Sequence, residues 1–262
     1  MTDEKKALFA ELCREDRIMY GSDGEGIGTY NEKRFHRIFK RLVTDDADCY
    51  EIKVGKYIAD VKRNGHITEI QTGSFRSLAP KIRYYLEMTD CNVSVIRPVI
   101  CEKRIIRADK ETGEIKYTKR SPKKQTVEDA LSEIYYLKEL VDTHRLSIHF
   151  VLVKAEEYRY SERMRYRREG KYDSDLCPVE IVGEKIFCGL EDYIRLLPKE
   201  LSDREFTVAE YSRLTGINGK PAYSVLHILT AAGVLEKRTE KRHFVFKRIK
   251  NTLYQTYKEL QI

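Results

Sequence analysis

Residues 57–71, YIADVKRNGHITEIQ, bring two carboxylates and an amide together: Asp60, Glu69 and Gln71. Asn-Gly is a strong hairpin signal, because a type I′ turn needs positive φ at both central residues. With Asn64 and Gly65 as the loop, Arg63 pairs with His66, Lys62 with Ile67 and Val61 with Thr68. Asp60 then stands opposite Glu69, and Gln71 shares that face because side chains alternate with period two. Like charges facing each other across a ladder repel unless something compensates. A divalent cation does so: Mg²⁺ or Mn²⁺ takes hard carboxylate oxygens together with water and phosphate oxygens. The competing reading leaves both acids solvated on an open sheet face. Their setting argues against it, since YIAD and ITEIQT place them among apolar and β-branched residues of the kind found in central strands.

Several elements must hold this hairpin. Residues 4–14 are amphipathic and lead into GSDGEGIG at 21–28. That run matches neither GxGxxG nor GxxxxGK[ST], which makes it a connector rather than a phosphate loop. Thr29-Tyr30-Asn31-Glu32 has the form of a capping box and opens a helix to about Arg41. Strands are expected at 50–54, 57–61 and 66–71, then a helix from a Ser77 cap to Glu87 with Pro80 in its first turn, then a strand at 93–99. Beyond these come a charged hairpin and basic loop at 100–125, a helix at 126–141, a strand at 147–154, a short hairpin at 179–188 and a short helix at 190–197. Pro-Lys-Glu-Leu-Ser-Asp, within 198–205, is the best domain boundary.

A helix bearing Glu32, a strand ending in Asp60, a strand with Glu69 and Gln71, then a helix and a strand resemble the PD-(D/E)XK phosphodiesterase superfamily over residues 29–99. The whole chain is similar to bacterial proteins that join such a core to a C-terminal winged helix. The resemblance implies an α/β fold, a restriction-endonuclease-like αβββαβ core with an extended mixed sheet, followed by a winged helix-turn-helix. The divisions are 1–28 (helix and connector), 29–198 (nuclease-like domain with extension) and 199–262 (winged-helix domain). Members of the superfamily mostly cleave DNA or RNA phosphodiesters with Mg²⁺, and some have lost activity. Carried over, Asp60 and Glu69 would be metal ligands, and Glu32 would complete the shell or hold a water, a role that competes with capping its own helix. Gln71 stands where the superfamily usually has Lys; it can orient a water but supplies no positive charge and accepts no proton. Lys53 or Lys56 could reach the site instead.

The C-terminal region carries a second pattern. FTVAEYSRLTG reads as a helix capped by Thr207 and stopped by Gly216; Asn218 caps the next, whose Val225, Ile228 and Leu229 suit a core face. VLEKRTEKRHFVFKRI gives two strands around a basic turn. Helix, turn, helix and β-wing resemble a winged helix-turn-helix, with Lys220, Tyr223, Ser224 and His227 as exposed contacts of the recognition helix. Arg238, Lys241 and Arg242 on the wing would meet phosphates or a groove.

Charge agrees with a phosphate-bearing partner. The 262 residues hold 49 Lys+Arg against 42 Asp+Glu, a net +7, and residues 203–250 alone hold 10 basic and 5 acidic groups. A local excess of this kind is the footprint of a nucleic-acid-binding surface. A second basic run, Arg159 to Lys171 with interleaved tyrosines, could stack bases or be a charged loop. Six widely spread cysteines with no CxxC, and histidines with no HExxH spacing, exclude a zinc ribbon and a zincin, and suit a reducing cytoplasm. No stretch approaches the roughly 18 apolar residues of a membrane span, and the charged N-terminus is not that of a signal peptide. The leading expectation is a cytoplasmic Mg²⁺- or Mn²⁺-dependent nuclease acting on nucleic acid, DNA first, with no membrane partner. The alternative is a DNA-binding regulatory protein whose nuclease-like core is catalytically silent and serves as a scaffold or homodimerisation domain.

Overall fold

The computed structural model describes residues 1–20, 29–109, 112, 114–161, 173–240 and 243–249. The Gly-rich connector at 21–28 and most of the basic run at 159–171 lie outside them. The architecture is mixed α/β, with one large sheet, a small second sheet and several helices. The chain forms two units of interleaved segments. The first comprises Met1–Gly73, Ser94–Thr126 and His149–Lys185; the second comprises Ser74–Val93, Val127–Ile148 and Ile186–Ile262. The boundary expected at 198–205 falls inside the second unit.

In the first unit, α1 (Asp3–Tyr20) and α2 (Thr29–Val43) precede β1 (Tyr50–Val54), β2 (Tyr57–Arg63) and β3 (His66–Ile70). These strands join β4 (Asn92–Asp109), β5 (Ile115–Arg120), β6 (Leu146–Ser161) and β7 (Asp173–Cys188) in a sheet of order β1-β2-β3-β4-β6-β7, with β5 paired to β4. Phe9 and Leu12 of α1 and Phe35, Ile38 and Phe39 of α2 pack with Ile70, Val151, Val153 and Ile181 of the strands. The Phe9 and Phe39 ring centroids lie 5.2 Å apart. Burying each such ring is worth roughly 1.5–3 kcal/mol. Asp16 of α1 receives Arg34 at 3.0 Å and Arg37 at 2.8 Å, both from α2, which fixes how the two helices lie on each other.

Several expected elements differ. The short hairpin at 179–188 is instead the second half of the continuous strand β7, held to β6 by the Lys154–Glu180 and His149–Glu184 pairs. The strands at 93–99 and 147–154 run on into β4 and β6, well past their apolar centres. The helix expected from Ser77 is α3 (Phe75–Met88), in the second unit, capped by Ser74. Glu133 accepts from both Ser74 Oγ and Phe75 N at 2.8 Å, and Phe75 is fully buried. That tertiary anchor starts the helix a turn early and leaves Pro80 inside it.

The rest of the second unit contains α4 (Val127–Ile134), a 3-10 turn (Tyr135–Leu137), α5 (Leu190–Ile194), α6 (Val208–Thr215) and α7 (Gly219–Ala231). A three-stranded sheet of order β8-β10-β9 is made by β8 (Phe206–Thr207), β9 (Leu235–Glu240) and β10 (His243–Arg248). Thr207 and Glu210 form a complete capping box on α6, and Gly216 ends that helix at φ +73°, a conformation only glycine takes without penalty.

Candidate functional site

The hairpin forms as its sequence requires. Asn64 and Gly65 adopt φ of +48° and +71°, the values a type I′ turn needs. The register pairs Arg63 with His66, Lys62 with Ile67 and Val61 with Thr68, leaving Asp60 and Glu69 next in line. The Asp60 carboxylate turns into the ladder, where its Oδ2 accepts from the Ile70 amide at 2.8 Å. On the other side of β2, Tyr50 pairs with Val61 and Ile52 with Ala59, so Glu51, in the left-handed region at φ +54°, stands beside Asp60. Three carboxylates from three adjacent strands therefore succeed one another across the sheet.

Glu69 is only 2% exposed, an expensive place for a carboxylate unless positive charge or hydrogen bonds compensate. Positive charge from α2 reaches the neighbouring carboxylates Glu51 and Asp60. Lys40, 9% exposed, places its Nζ 3.1 Å from Glu51 Oε1 and 4.0 Å from Asp60 Oδ1. His36 Nδ1 lies 3.6 Å from Asp60 Oδ2. Glu32 precedes His36 by four residues on the same helix, and its side chain lies outside the described ones. Sequence reasoning missed His36 and Lys40, although the 32, 36, 40 spacing was the signal: residues four apart share a helix face.

Gln71 follows the end of β3, donating its amide to Ile96 O at 2.9 Å. Its carboxamide lies over Gly73, where an added Cβ would meet Nε2 at 3.3 Å. Arg97 Nη1 ties this turn down by donating to the carbonyls of Gln71, Thr72 and Gly73. Lys53 and Lys56, the expected substitutes for the motif lysine, are both exposed, and Lys56 stacks over Tyr57 at 5.4 Å. The cation that does stand beside Asp60 is Lys40. Among the described residues no three His, Cys, Asp or Glu side chains form a group that could hold a metal ion. A cavity of about 840 Å³, with Asp16, Arg37, Arg41 and Tyr50 in its walls, opens beside Lys40 and Glu51.

A separate polar row crosses the strands away from the carboxylates. His66 Nε2 pairs with Ser94 Oγ at 2.8 Å, and His149 Nδ1 with Glu184 Oε1 at 2.9 Å. Burial, reinforced by the nearby His149, pushes the His66 pKa down. The hydrogen bond from His149 lowers that of Glu184. Both histidines are thus bonded members of the sheet.

In the C-terminal region Lys220 and Tyr223 are exposed, as expected. Ser224 is not: it is 4% exposed, on a helix that packs against α4, α5, α6 and β9. His227 is half-buried, its ring edge-on between Tyr135 at 6.0 Å and Phe244 at 6.4 Å. Arg238 is exposed but bonded to Glu205 and, at 2.8 Å, to Glu240, which offsets its charge. Lys241 and Arg242 lie outside the described residues. The tyrosine and phenylalanine flanking His227 were not singled out from sequence, being far apart along the chain.

No helix among the described residues is long and apolar enough to cross a membrane. No solved structure matches the chain. An uncharacterized protein of Treponema pallidum (strain Nichols) is 28% identical over 158 residues, covering 59% of this chain and 62% of that protein. The chain therefore spans less than two thirds of that relative's length. Residues 33–188 match the family described as a domain of unknown function, DUF8091. The match takes in the carboxylate hairpin, α2 from Lys33 and the strands through Cys188, well over half of the sequence, and the chain belongs to this family.

Proposed function

We propose that the protein is a metal-dependent phosphodiester hydrolase acting on nucleic acid, with DNA as the first substrate to test. The observation that carries this reading is the juxtaposition of Asp60 and Glu69 on neighbouring strands, one bonded to the Ile70 amide and the other buried. The chain order α2-β1-β2-β3-α3-β4 supports the nuclease-like core that the hairpin resembles. The donor chemistry fits Mg²⁺ or Mn²⁺, which accept one or two carboxylates and fill the remaining positions with water and phosphate oxygens. Asp60 and Glu69 would hold the ion, with Glu32 as the third candidate. Held there, the ion would supply polarisation of a phosphoryl oxygen and a lowered pKa for a water.

The protein's own groups have separate tasks. The Ile70 N–H fixes the Asp60 carboxylate in one orientation. Lys40 offsets the clustered negative charge that would otherwise repel a phosphate. Gln71 orients water through its amide without exchanging a proton with it. The second unit would bind the substrate: the order β8-α6-α7-β9-β10 supports a winged helix-turn-helix, with Lys220, Tyr223 and His227 on the open face of α7. Six unpaired cysteines suit a cytoplasmic setting.

A second reading has its own support. Lys40 already stands near Asp60 with a positive charge, and Gln71 replaces the usual lysine, as a DNA-binding protein with a silent core would have it. Calorimetric titration of the full chain with Mg²⁺ and Mn²⁺, against an Asp60→Ala/Glu69→Ala variant, separates the two. Binding that the variant loses, together with Mg²⁺-dependent cleavage of labelled DNA, upholds the nuclease. Absence of metal binding at millimolar concentration, with DNA present, favours the silent core.

A further inference from the structure

The rings around His227 form a continuous row within the second unit. Tyr136, Tyr135, His227 and Phe244 follow one another at centroid distances of 5.9, 6.0 and 6.4 Å, each pair edge-to-face. Tyr223 stands one turn before His227 on α7. Tyr135 and Phe244 are each 37% exposed and Tyr223 45%, unusual openness for large rings in contact with one another. Each end of the row carries a cation: Lys138 Nζ lies 4.6 Å from the Tyr135 centroid and Lys237 Nζ 4.5 Å from that of Phe244. Neither ammonium meets a carboxylate among the described residues. Burial, reinforced by these two lysines, pushes the His227 pKa down.

We propose that Tyr135, His227 and Phe244, extended by Tyr223 and flanked by Lys138 and Lys237, are a stacking platform for the unpaired bases of a single-stranded nucleic acid. This rests on the nucleic-acid reading of the second unit given above and narrows its substrate to strands with an unpaired stretch. Aromatic rings stack any base, and the two lysines, whose ammonium groups lie over the Tyr135 and Phe244 rings, supply positive charge for the phosphates of the same nucleotides. Groove reading is the poorer fit. With Ser224 buried, the expected contacts on α7 reduce to Lys220, Tyr223 and half of His227, whereas base-edge readout uses several side chains with matched donors and acceptors. Positive charge with no carboxylate partner among the described residues, at both ends of the row, also disfavours an apolar protein partner, which would have to desolvate it.

Fluorescence anisotropy of the full chain tests this with a labelled 20-nucleotide single-stranded DNA, its blunt duplex and the matching RNA strand. A single strand should bind more tightly than the duplex, and the DNA and RNA arms identify which strand is preferred. Tyr135→Leu and Phe244→Leu should each weaken single-strand binding about tenfold or more and leave duplex binding unchanged. Tyr135→Phe and Phe244→Tyr keep a stacking face and should retain it, which separates stacking from a folding defect. Equal losses on both substrates, or no loss from the leucine variants, would overturn the platform while leaving nucleic-acid binding intact. Failure to bind any nucleic acid at low salt would remove both the platform and the reading beneath it. In that case capture of a protein ligand by the same rings becomes the interpretation.

Discussion

Lys40 Nζ stands 4.0 Å from Asp60 Oδ1, so a side chain from α2 supplies positive charge where the hairpin concentrates negative charge. The relationship has two sides. It steadies Glu51 and Asp60, and it competes with any cation that approaches them.

Lys40→Met should tighten Mg²⁺ binding. Two unit charges about 4 Å apart interact by about 1 kcal/mol in water-like surroundings, so relief of the repulsion on a divalent ion is worth about 2 kcal/mol, about 30-fold in affinity. Lys40→Arg, keeping the charge, should stay near wild type. Titration calorimetry of the three proteins gives the comparison, and unchanged affinity in Lys40→Met would mean that no cation binds at Asp60.

Asp60→Asn and Asp60→Ala should part company in stability. Asparagine retains an oxygen for the Ile70 N–H, while alanine leaves that amide without its acceptor at a cost of about 1–3 kcal/mol. Urea denaturation midpoints should therefore rank wild type and Asp60→Asn above Asp60→Ala. Cleavage should fall at least about 100-fold in both, because the missing charge is the catalytic loss. Retained cleavage in Asp60→Asn would remove Asp60 from the mechanism.

Stability should decline as pH drops below about 6.5, the ordinary histidine value. The folded-state pKa of His66 lies below that value, so in this range the unfolded chain binds more protons and stability rises with pH. The contribution is fully present above the unfolded pKa and is lost progressively down to the folded one. His66→Gln, which can still bond Ser94 Oγ, should flatten the slope of urea midpoint against pH between 7 and 5. An identical slope in the variant would assign the dependence elsewhere.

Thr207→Ala should destabilise α6 by about 1 kcal/mol, because it removes the acceptor for the Glu210 N–H and dismantles the capping box. Hydrogen exchange should localise the change to the first turn of that helix. A uniform change across the protein would point to a global effect instead.

Legibility in the sequence followed the range of the interaction. The Asn64-Gly65 turn and the register it sets were readable because positive φ at adjacent residues is a local demand. The α6 cap and its Gly216 stop were readable for the same reason. The cap at Ser74 rather than Ser77 was not, since Glu133 decides it from 58 residues away. Ser224 looked like a surface position because nothing near it in sequence announces that α4 packs against α7. The aromatic row escaped notice because Tyr135 and Phe244 meet only across His227. Lys40 is the instructive miss: its spacing from Glu32 and His36 was visible, but only the fold shows which strand that helix face meets.

The interleaving of the two units reaches beyond the site. The polypeptide passes between them five times, and residues 33–188, the span of the family match, include segments of both. Neither unit corresponds to one continuous stretch of the chain, so neither can be expressed alone as a single uninterrupted segment.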